Sequence, residues 1–383
     1  MKFAIIAVGY NRPDSMERLL SSICDAYYES DKVDLIVSID RGKRQKEIVC
    51  VAEKKRWKYG DKIIRAYEKR QGLRSHILQC GDLTEKYDVV VVLEDDLLVS
   101  PYYFSYVIQA VTKFSNDDRI AGVSLYKHVF HPGANRPFEP EHNGYDAFLM
   151  QFAQSWGQCW TKSMWKSFRA WYKNNHNKDL SRDSLLPEYI TRWNQHSWLK
   201  YYMRYIVEKN KYFVYPTISL STNVSEVGQH CSIENSDYQV PLLQGKMKFR
   251  FPSFENAVKY DVYFDRMEIG DVIFPELKGK KILDLYGIRN NYQDADYIFS
   301  INELPYKKIK KIALIYRPIE RNCMFPQEGK GIYLYDLKNA DITEKSNIDV
   351  VTRYDVRGVS WKCLLHLAIN DLLSSMKEKL IKK

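Results

Sequence analysis

Residues Glu94-Asp95-Asp96 set three carboxylates in a row directly after an apolar run, Asp88–Leu93, that contains four consecutive valines. Acids leaving a buried strand repel one another, and desolvating them is costly unless a cation is present. Oxygen ligands of this kind suit Mg²⁺ or Mn²⁺, ions that also bridge diphosphate oxygens. A solvated turn or a helix N-terminus would also accept acids. The position favours a site, because α/β folds bind ligands at the carboxyl ends of their strands.

Other residue types with chemical capacity cluster at similar places. The first apolar run, Phe3–Val8, ends in Gly9-Tyr10-Asn11-Arg12-Pro13, and the second, Leu35–Ile39, ends at Asp40. Arg12 offers a planar cation and Asp40 an acceptor; each is also an ordinary residue for a strand end. Arg70-Gln71-Gly72-Leu73-Arg74 forms a turn that would lay Arg74 against a diphosphate or a base, or would simply be a turn. Trp156, Trp160, Trp165 and Trp171 occupy one short region with Gly157. Core packing explains such a group, and Trp165 and Trp171 are read that way.

The elements that must position these residues follow from pattern. Strands are expected at Phe3–Val8, Leu35–Ile39 and Asp88–Leu93, the last buried on both faces as in a parallel sheet. Helical spacing covers Arg18–Tyr27, after an Asp14/Ser15 start, and Arg44–Trp57. From Ser124 to Ala147 the composition reads as a long loop. Helices are expected over Gln154–Tyr172 and Pro187–Asn210, then a strand around Phe213–Leu220. Beyond Phe251, short apolar runs (Lys281–Leu285, Tyr297–Ile301, Ile312–Tyr316, Gly331–Leu337, Val350–Tyr354) are spaced too closely for full crossover helices. They suggest a small appended α/β or mostly-β domain, closed by a basic helix, Trp361–Lys383, with apolar residues at three- and four-residue intervals. That helix either packs on its own domain or rests on anionic lipid.

Composition sets the outer limits. The 383 residues, 45% hydrophobic and 14% aromatic, exclude a disordered or collagen-like chain and allow two or three domains. The formal charge of +10 suits phosphate-bearing ligands, an anionic surface or nucleic acid. Nucleic acid is disfavoured, because no recognition motif is present and the Lys and Arg residues form no dense run. Seven scattered cysteines without CxxC spacing indicate reduced thiols and a cytoplasmic setting. The N-terminal apolar run is too short for a signal peptide.

In chain order, the strand ends at Gly9–Pro13 and Ser38-Ile39-Asp40, then Val92–Leu97 followed by Ser100-Pro101-Tyr102-Tyr103-Phe104, resemble GT-A glycosyltransferases. The nearest subgroup is the N-acetylglucosaminyltransferase I type and its bacterial polysaccharide-biosynthesis relatives. Ser155-Trp156-Gly157-Gln158-Cys159-Trp160, Tyr215-Pro216 ahead of Asn223, and Gly228-Gln229-His230-Cys231 extend the resemblance over residues 1–235. It implies a Rossmann-like α/β core, with residues 1–125 as the nucleotide-sugar half and 126–250 as the acceptor half. Residues 251–383 would form the appended domain. By position, Arg12 and Asp40 match residues that bracket the uracil of a UDP-sugar. Glu94 matches a ribose contact, Asp95 a donor-sugar contact with a catalytic part, and Asp96 the metal ligand. Trp156 and Gly157 would line the donor-sugar or acceptor pocket, since indole rings stack on sugar faces, and His230 would add a metal or diphosphate contact.

The same resemblance implies Mn²⁺ or Mg²⁺ as cofactor and a glycan or lipid-linked oligosaccharide as acceptor. The work would be inverting transfer in capsule or O-antigen synthesis, in the cytoplasm or peripheral on the inner face of the membrane. One departure stands out. The Trp-Asp-Asp-Trp stretch that supplies the relatives' base falls here on Trp198-Leu199-Lys200-Tyr201, so both acids are lost. Glu188, His196 and Asp183 are the nearby substitutes for the base, Glu188 being placed just after Pro187. Two other classes stay open. A sugar-nucleotidyltransferase would show a Gly-rich phosphate loop, and only Gly9 is present. A non-catalytic UDP-sugar-binding module fits the missing acids.

Overall fold

The computed structural model describes residues 1–29, 32–224, 236–292, 294–341 and 348–381. Strand β1 (Phe3–Gly9) is buried at all seven positions. The chain then passes through a left-handed residue, Asn11, at φ 58°, into α1 (Pro13–Cys24). Pro13 sits in the first turn, where its missing N–H costs nothing. β2 (Val33–Ile39), also buried throughout, leads to α2 (Gln45–Lys54) and the edge strand β3 (Lys62–Ala66). α3 (Leu73–Gly81) precedes β4 (Val89–Glu94), and a tight turn at the acids gives the short β5 (Leu97–Val99). α4 (Tyr103–Phe114) and β6 (Ile120–Ser124) follow. The region expected as loop contains a small ribbon of β7 (Phe130–His131) and β8 (Arg136–Pro137) before β9 (Ala147–Met150).

Next come β10 (Gln158–Thr161), α5 (Lys162–Asn175), α6 (Glu188–Thr191), α7 (Trp198–Glu208), β11 (Tyr212–Pro216), β12 (Ser221–Asn223) and β13 (Lys259–Tyr260). The nine-stranded sheet has the order β13-β9-β11-β6-β10-β4-β1-β2-β3. β1, β2, β3 and β4 are mutually parallel, while β10 runs antiparallel to both β4 and β6. The result is an α/β fold on a mixed, mostly parallel sheet. β13 lies beyond residue 250 yet adds to the edge of this sheet, beside β9.

The remaining chain forms α8 (Ile269–Val272), β14 (Lys281–Asp284), β15 (Tyr297–Ser300), β16 (Tyr306–Ala313), α9 (Arg321–Met324), β17 (Gly331–Ala340), α10 (Ile348–Asp355) and α11 (Trp361–Ile381). Its four strands make a separate sheet in the order β14-β15-β17-β16. Polar ties join it to the large sheet's side of the molecule. Arg136 pairs with Asp355 at 2.6 Å, Tyr260 donates to Glu320 at 2.7 Å, and Arg321 donates to Glu141 at 2.8 Å.

Three expectations are corrected. The stretch Gln154–Tyr172 is not one helix: Gln158–Thr161 is fully buried as β10 between β4 and β6, and the helix begins only after Thr161 caps Met164. Pro187–Asn210 is split into α6 and α7 by a turn, with Ser197 capping the second helix. The run Val350–Tyr354 is helical, within α10. Strands β3 and β6 and helix α3 gave too little periodicity to be read. The six described cysteines are free thiols.

Candidate functional site

Register places the carboxyl ends of three parallel strands side by side. Val8 of β1 stands between Ser38 of β2 and Glu94 of β4. The residues that follow, Gly9–Arg12, Asp40 and Asp95-Asp96, therefore emerge on one edge of the sheet. Because β10 is antiparallel, with Gln158 opposite Val92, its amino end and Trp156-Gly157 reach the same edge. β12 closes the group from the other side, as Val224 N–H donates to the Asp96 carbonyl at 2.8 Å.

Arg12 and the acids are in direct contact. The Arg12 guanidinium donates to Asp95 and lies 3.4 Å from Asp96 Oδ2. The other Asp95 oxygen accepts from Tyr10 N–H at 3.1 Å. Asp95 is nearly inaccessible, its side chain 4% exposed against 21% for Asp96. Burial pushes Asp95 up to about 6 even with Arg12 alongside. Burial, with Asp96 and Asp95 as like-charged neighbours, pushes Glu94 up to about 8. Burial opposes the charge on Arg12, but the two aspartates outweigh it and hold the guanidinium above its ordinary value.

A divalent cation is implied by the acid row. Among the described residues no group of three or more His, Cys, Asp or Glu side chains is placed to hold one. What the site does provide is Asp96 Oδ1, a buried carboxylate oxygen with no hydrogen-bond partner among the described residues. One hard oxygen donor fits Mg²⁺ or Mn²⁺, which is bound through one or two carboxylates together with phosphate oxygens. His230, expected as a further ligand, lies outside the described residues.

Asp40 is 4% exposed and organises a neighbouring loop. Its Oδ1 accepts from Arg41 and Gln71 N–H, both at 2.7 Å, and its Oδ2 from Gly72 N–H at 2.9 Å. This fixes the turn that carries Arg70, whose guanidinium stacks 5.0 Å from the Tyr10 ring. Tyr10 was legible only as part of the Gly9–Pro13 segment, and Arg70 only as part of its turn. The structure unites them beside Asp40 as a half-open aromatic and cationic surface.

Arg74 has other work. It donates to the Tyr172 hydroxyl at 2.6 Å and to the His176 carbonyl at 2.9 Å, and its guanidinium lies 4.4 Å from the Tyr201 ring. It joins α3 to α5 and α7, with three of its five N–H donors in that clamp. Trp156 is half-buried, packed 4.8 Å from Tyr126 and 4.5 Å from Tyr238. Gly157 has φ +91°, and a Cβ there would stand 2.9 Å from Ser221 Oγ and 3.1 Å from Leu125 Cβ. Trp165 is 2% exposed and Trp171 8%, so both belong to the core.

Where the sequence resemblance would place an acid, Lys200 is 2% exposed. Its ammonium donates to the carbonyls of Thr191 at 2.6 Å and Trp193 at 3.0 Å, tying the end of α6 to the start of α7. Of the substitute acids, Asp183 is bound by Arg204. Glu188 is exposed on α6, paired to Arg192 one turn on, and that pair does not join it to the Arg12–Asp96 group. His196 is exposed on the turn before α7.

No protein-family model matches the chain, and no curated protein does. Among solved structures, the mannosyltransferase PcManGT from Pyrobaculum calidifontis in complex with GDP-Man and Mn²⁺ aligns with 42% of this chain and 44% of its own, at 13% identity and TM-score 0.31. TarS 1–349 of S. aureus in complex with UDP-GlcNAc aligns over 60% of each chain, at 12% identity and TM-score 0.38. Its UDP complex aligns over 58% of this chain and 60% of its own, at 14% identity and TM-score 0.36. The chain spans less than two thirds of the length of each. Likenesses this slight carry no argument about ligand or activity.

Proposed function

We propose that the chain is a glycosyltransferase that moves a sugar from a UDP-sugar to a glycan or lipid-linked oligosaccharide, with a divalent cation, in cell-surface polysaccharide synthesis such as capsule or O-antigen. The observation that carries this reading is Asp96 Oδ1, a buried carboxylate oxygen without a partner among the described residues, set beside the Arg12–Asp95 pair at the carboxyl end of β4. Sequence resemblance over residues 1–235 supports it independently.

In this reading Asp40 and the Tyr10–Arg70 surface hold the base, an aromatic ring and a cation suiting a planar pyrimidine. Glu94, neutral near pH 7 when burial and its acidic neighbours hold its proton, can donate to a ribose hydroxyl as well as accept from it. Arg12, matched by resemblance to a uracil contact, is held against Asp95 and Asp96, where its charge would instead meet the departing diphosphate. Asp95, fixed by Tyr10 N–H, orients that guanidinium and faces the donor sugar. Trp156 and Gly157 form the pocket wall. The cation, held by Asp96, would neutralise charge on the departing diphosphate. Glu188, more accessible than the Arg204-bound Asp183, is the proposed base for the acceptor hydroxyl, in an inverting reaction.

A panel of UDP-sugars with and without Mn²⁺, read by UDP release, tests the proposal. Turnover with one donor, dependent on the ion and reduced at least about hundredfold by Asp96→Asn, is expected. Full activity of that variant would overturn the metal assignment. A second reading, a non-catalytic UDP-sugar-binding module, is favoured by the buried Lys200 at the relatives' acid position. UDP binding without turnover across donors and acceptors would select it.

A further inference from the structure

Most of the described apolar side chains of helix α11 are exposed. Trp361 is 68% exposed, Leu372 65%, Leu367 57%, Leu365 and Leu373 52% each, and Ile369 47%. At 100° per residue all of these but Leu367 fall within about 120° of the helix surface, which is the width of a face rather than a narrow coiled-coil seam. Uncovered aliphatic and indole surface of this extent marks a binding surface in a water-soluble chain.

Three features bear on what covers it. Among the described residues no helix is long and apolar enough to cross a membrane, so α11 is not a span. The sequence of the helix is basic, with Lys362, Lys377 and Lys379 against Asp371 and Glu378, in a chain of net charge +10. Trp361 opens the face, and an indole is the side chain that settles at the boundary between headgroups and acyl chains. Lys362 lies at the edge of the apolar arc, where its stem can lie on apolar surface and its ammonium reach anionic headgroups. A second copy of the same helix would bring like charges together at this face, whereas an anionic bilayer would meet them with opposite charge.

We propose that α11 lies in the interface of an anionic membrane and holds the protein there as a peripheral protein. The helix face buries into the headgroup boundary, while the lysines keep their charges among phosphates. This proposal stands on α11 alone and does not depend on the transferase reading.

The test is co-sedimentation of the full chain with vesicles of phosphatidylcholine, or of phosphatidylcholine mixed with phosphatidylglycerol. At about 1 kcal/mol per lysine, three lysines should give about a hundredfold preference for the anionic vesicles, falling as salt is raised. The double variant Leu365→Glu/Leu372→Glu changes two exposed positions and should lose sedimentation while leaving the molecule folded, as read by its thermal melt. A charge-reversed variant, Lys362→Glu/Lys377→Glu/Lys379→Glu, should lose the preference for anionic lipid. Equal binding to both vesicle types, or sedimentation unaffected by the leucine substitutions, would overturn the proposal. So would a dimer in solution that the leucine variant converts to monomer, since it would assign the face to a second copy.

Discussion

Arg12 stands 3.4 Å from Asp96 and in contact with Asp95, so the acid row already has one cation beside it, held in place by the strand that precedes it. The consequence is a buried charge group that is balanced only in part. What is left over is the second carboxylate, Asp96, whose Oδ1 is buried without a hydrogen-bond partner among the described residues.

Arg12→Ala removes that cation and leaves Asp95 buried and unpaired. A loss of about 3–5 kcal/mol in unfolding free energy is expected, the range for breaking a buried pair by removing one partner. The loss should be smaller at pH 5 than at pH 8, because protonated acids no longer need the cation. Mn²⁺ should restore part of it at pH 8. Urea unfolding at the two pH values, with and without the ion, measures all three effects.

Three buried histidines make the fold sensitive to acid. Burial pushes His76 down to about 4, and His128 and His131 down to about 3. A depressed value means that the folded state holds the neutral ring. The stability this contributes is complete above the unfolded value near 6.5 and is lost as pH falls toward 4 and 3. The slope is at most about 1.4 kcal/mol per pH unit for each ring. His131 Nδ1 accepts from Gly133 N–H at 3.0 Å, so His131→Asn keeps an acceptor and removes the titration. Melting temperatures from pH 7 to pH 5 should fall less steeply in that variant than in the parent.

Lys200 tests whether the relatives' acid position has kept any catalytic meaning. Lys200→Met should cost about 1–3 kcal/mol for each carbonyl left without its donor, those of Thr191 and Trp193. Lys200→Asp restores an acid, yet sets it against two carbonyl oxygens. A larger loss of stability and no gain in UDP release are expected. Increased turnover in Lys200→Asp would contradict the structural role.

Gly157→Ala combines backbone strain with a close contact. Positive φ costs a non-glycine residue about 1–2 kcal/mol, and the added methyl meets Ser221 and Leu125. Gly144 provides the control, at φ +87° with no atom within 4 Å of an added Cβ. Chemical denaturation should show Gly157→Ala losing clearly more than Gly144→Ala. Equal losses would mean that the approach to Ser221 and Leu125 is unconstrained.

The first strands and the acid row were legible because their residues lie in short, uninterrupted apolar runs. Phe3–Val8 and Leu35–Ile39 fall within β1 and β2, and β4 runs one residue past Leu93 to Glu94. β10 was hidden because Gln158-Cys159-Trp160-Thr161 has no alternation and abuts a true helix; only pairing with β4 and β6 on either side makes it a strand. β3 was hidden because an edge strand carries Lys and Arg among its apolar residues. Arg74 read as a ligand contact from local context, whereas its partners lie about a hundred residues away on α5 and α7, beyond the reach of any pattern along the chain.

By itself, the sequence determined the α/β texture and the position of three carboxylates at a strand end. Local composition and spacing are enough for these, since each depends on neighbours along the chain. Tertiary structure alone decided that Arg12 pairs with Asp95 and stands beside Asp96, that Asp40 orders the Arg70 turn beside Tyr10, and that Lys200 is buried against two carbonyls. It also decided that the apolar face of α11 is left uncovered. Each of these depends on which charges and surfaces meet across the fold, and burial strengthens both their attraction and the cost of leaving them unpaired.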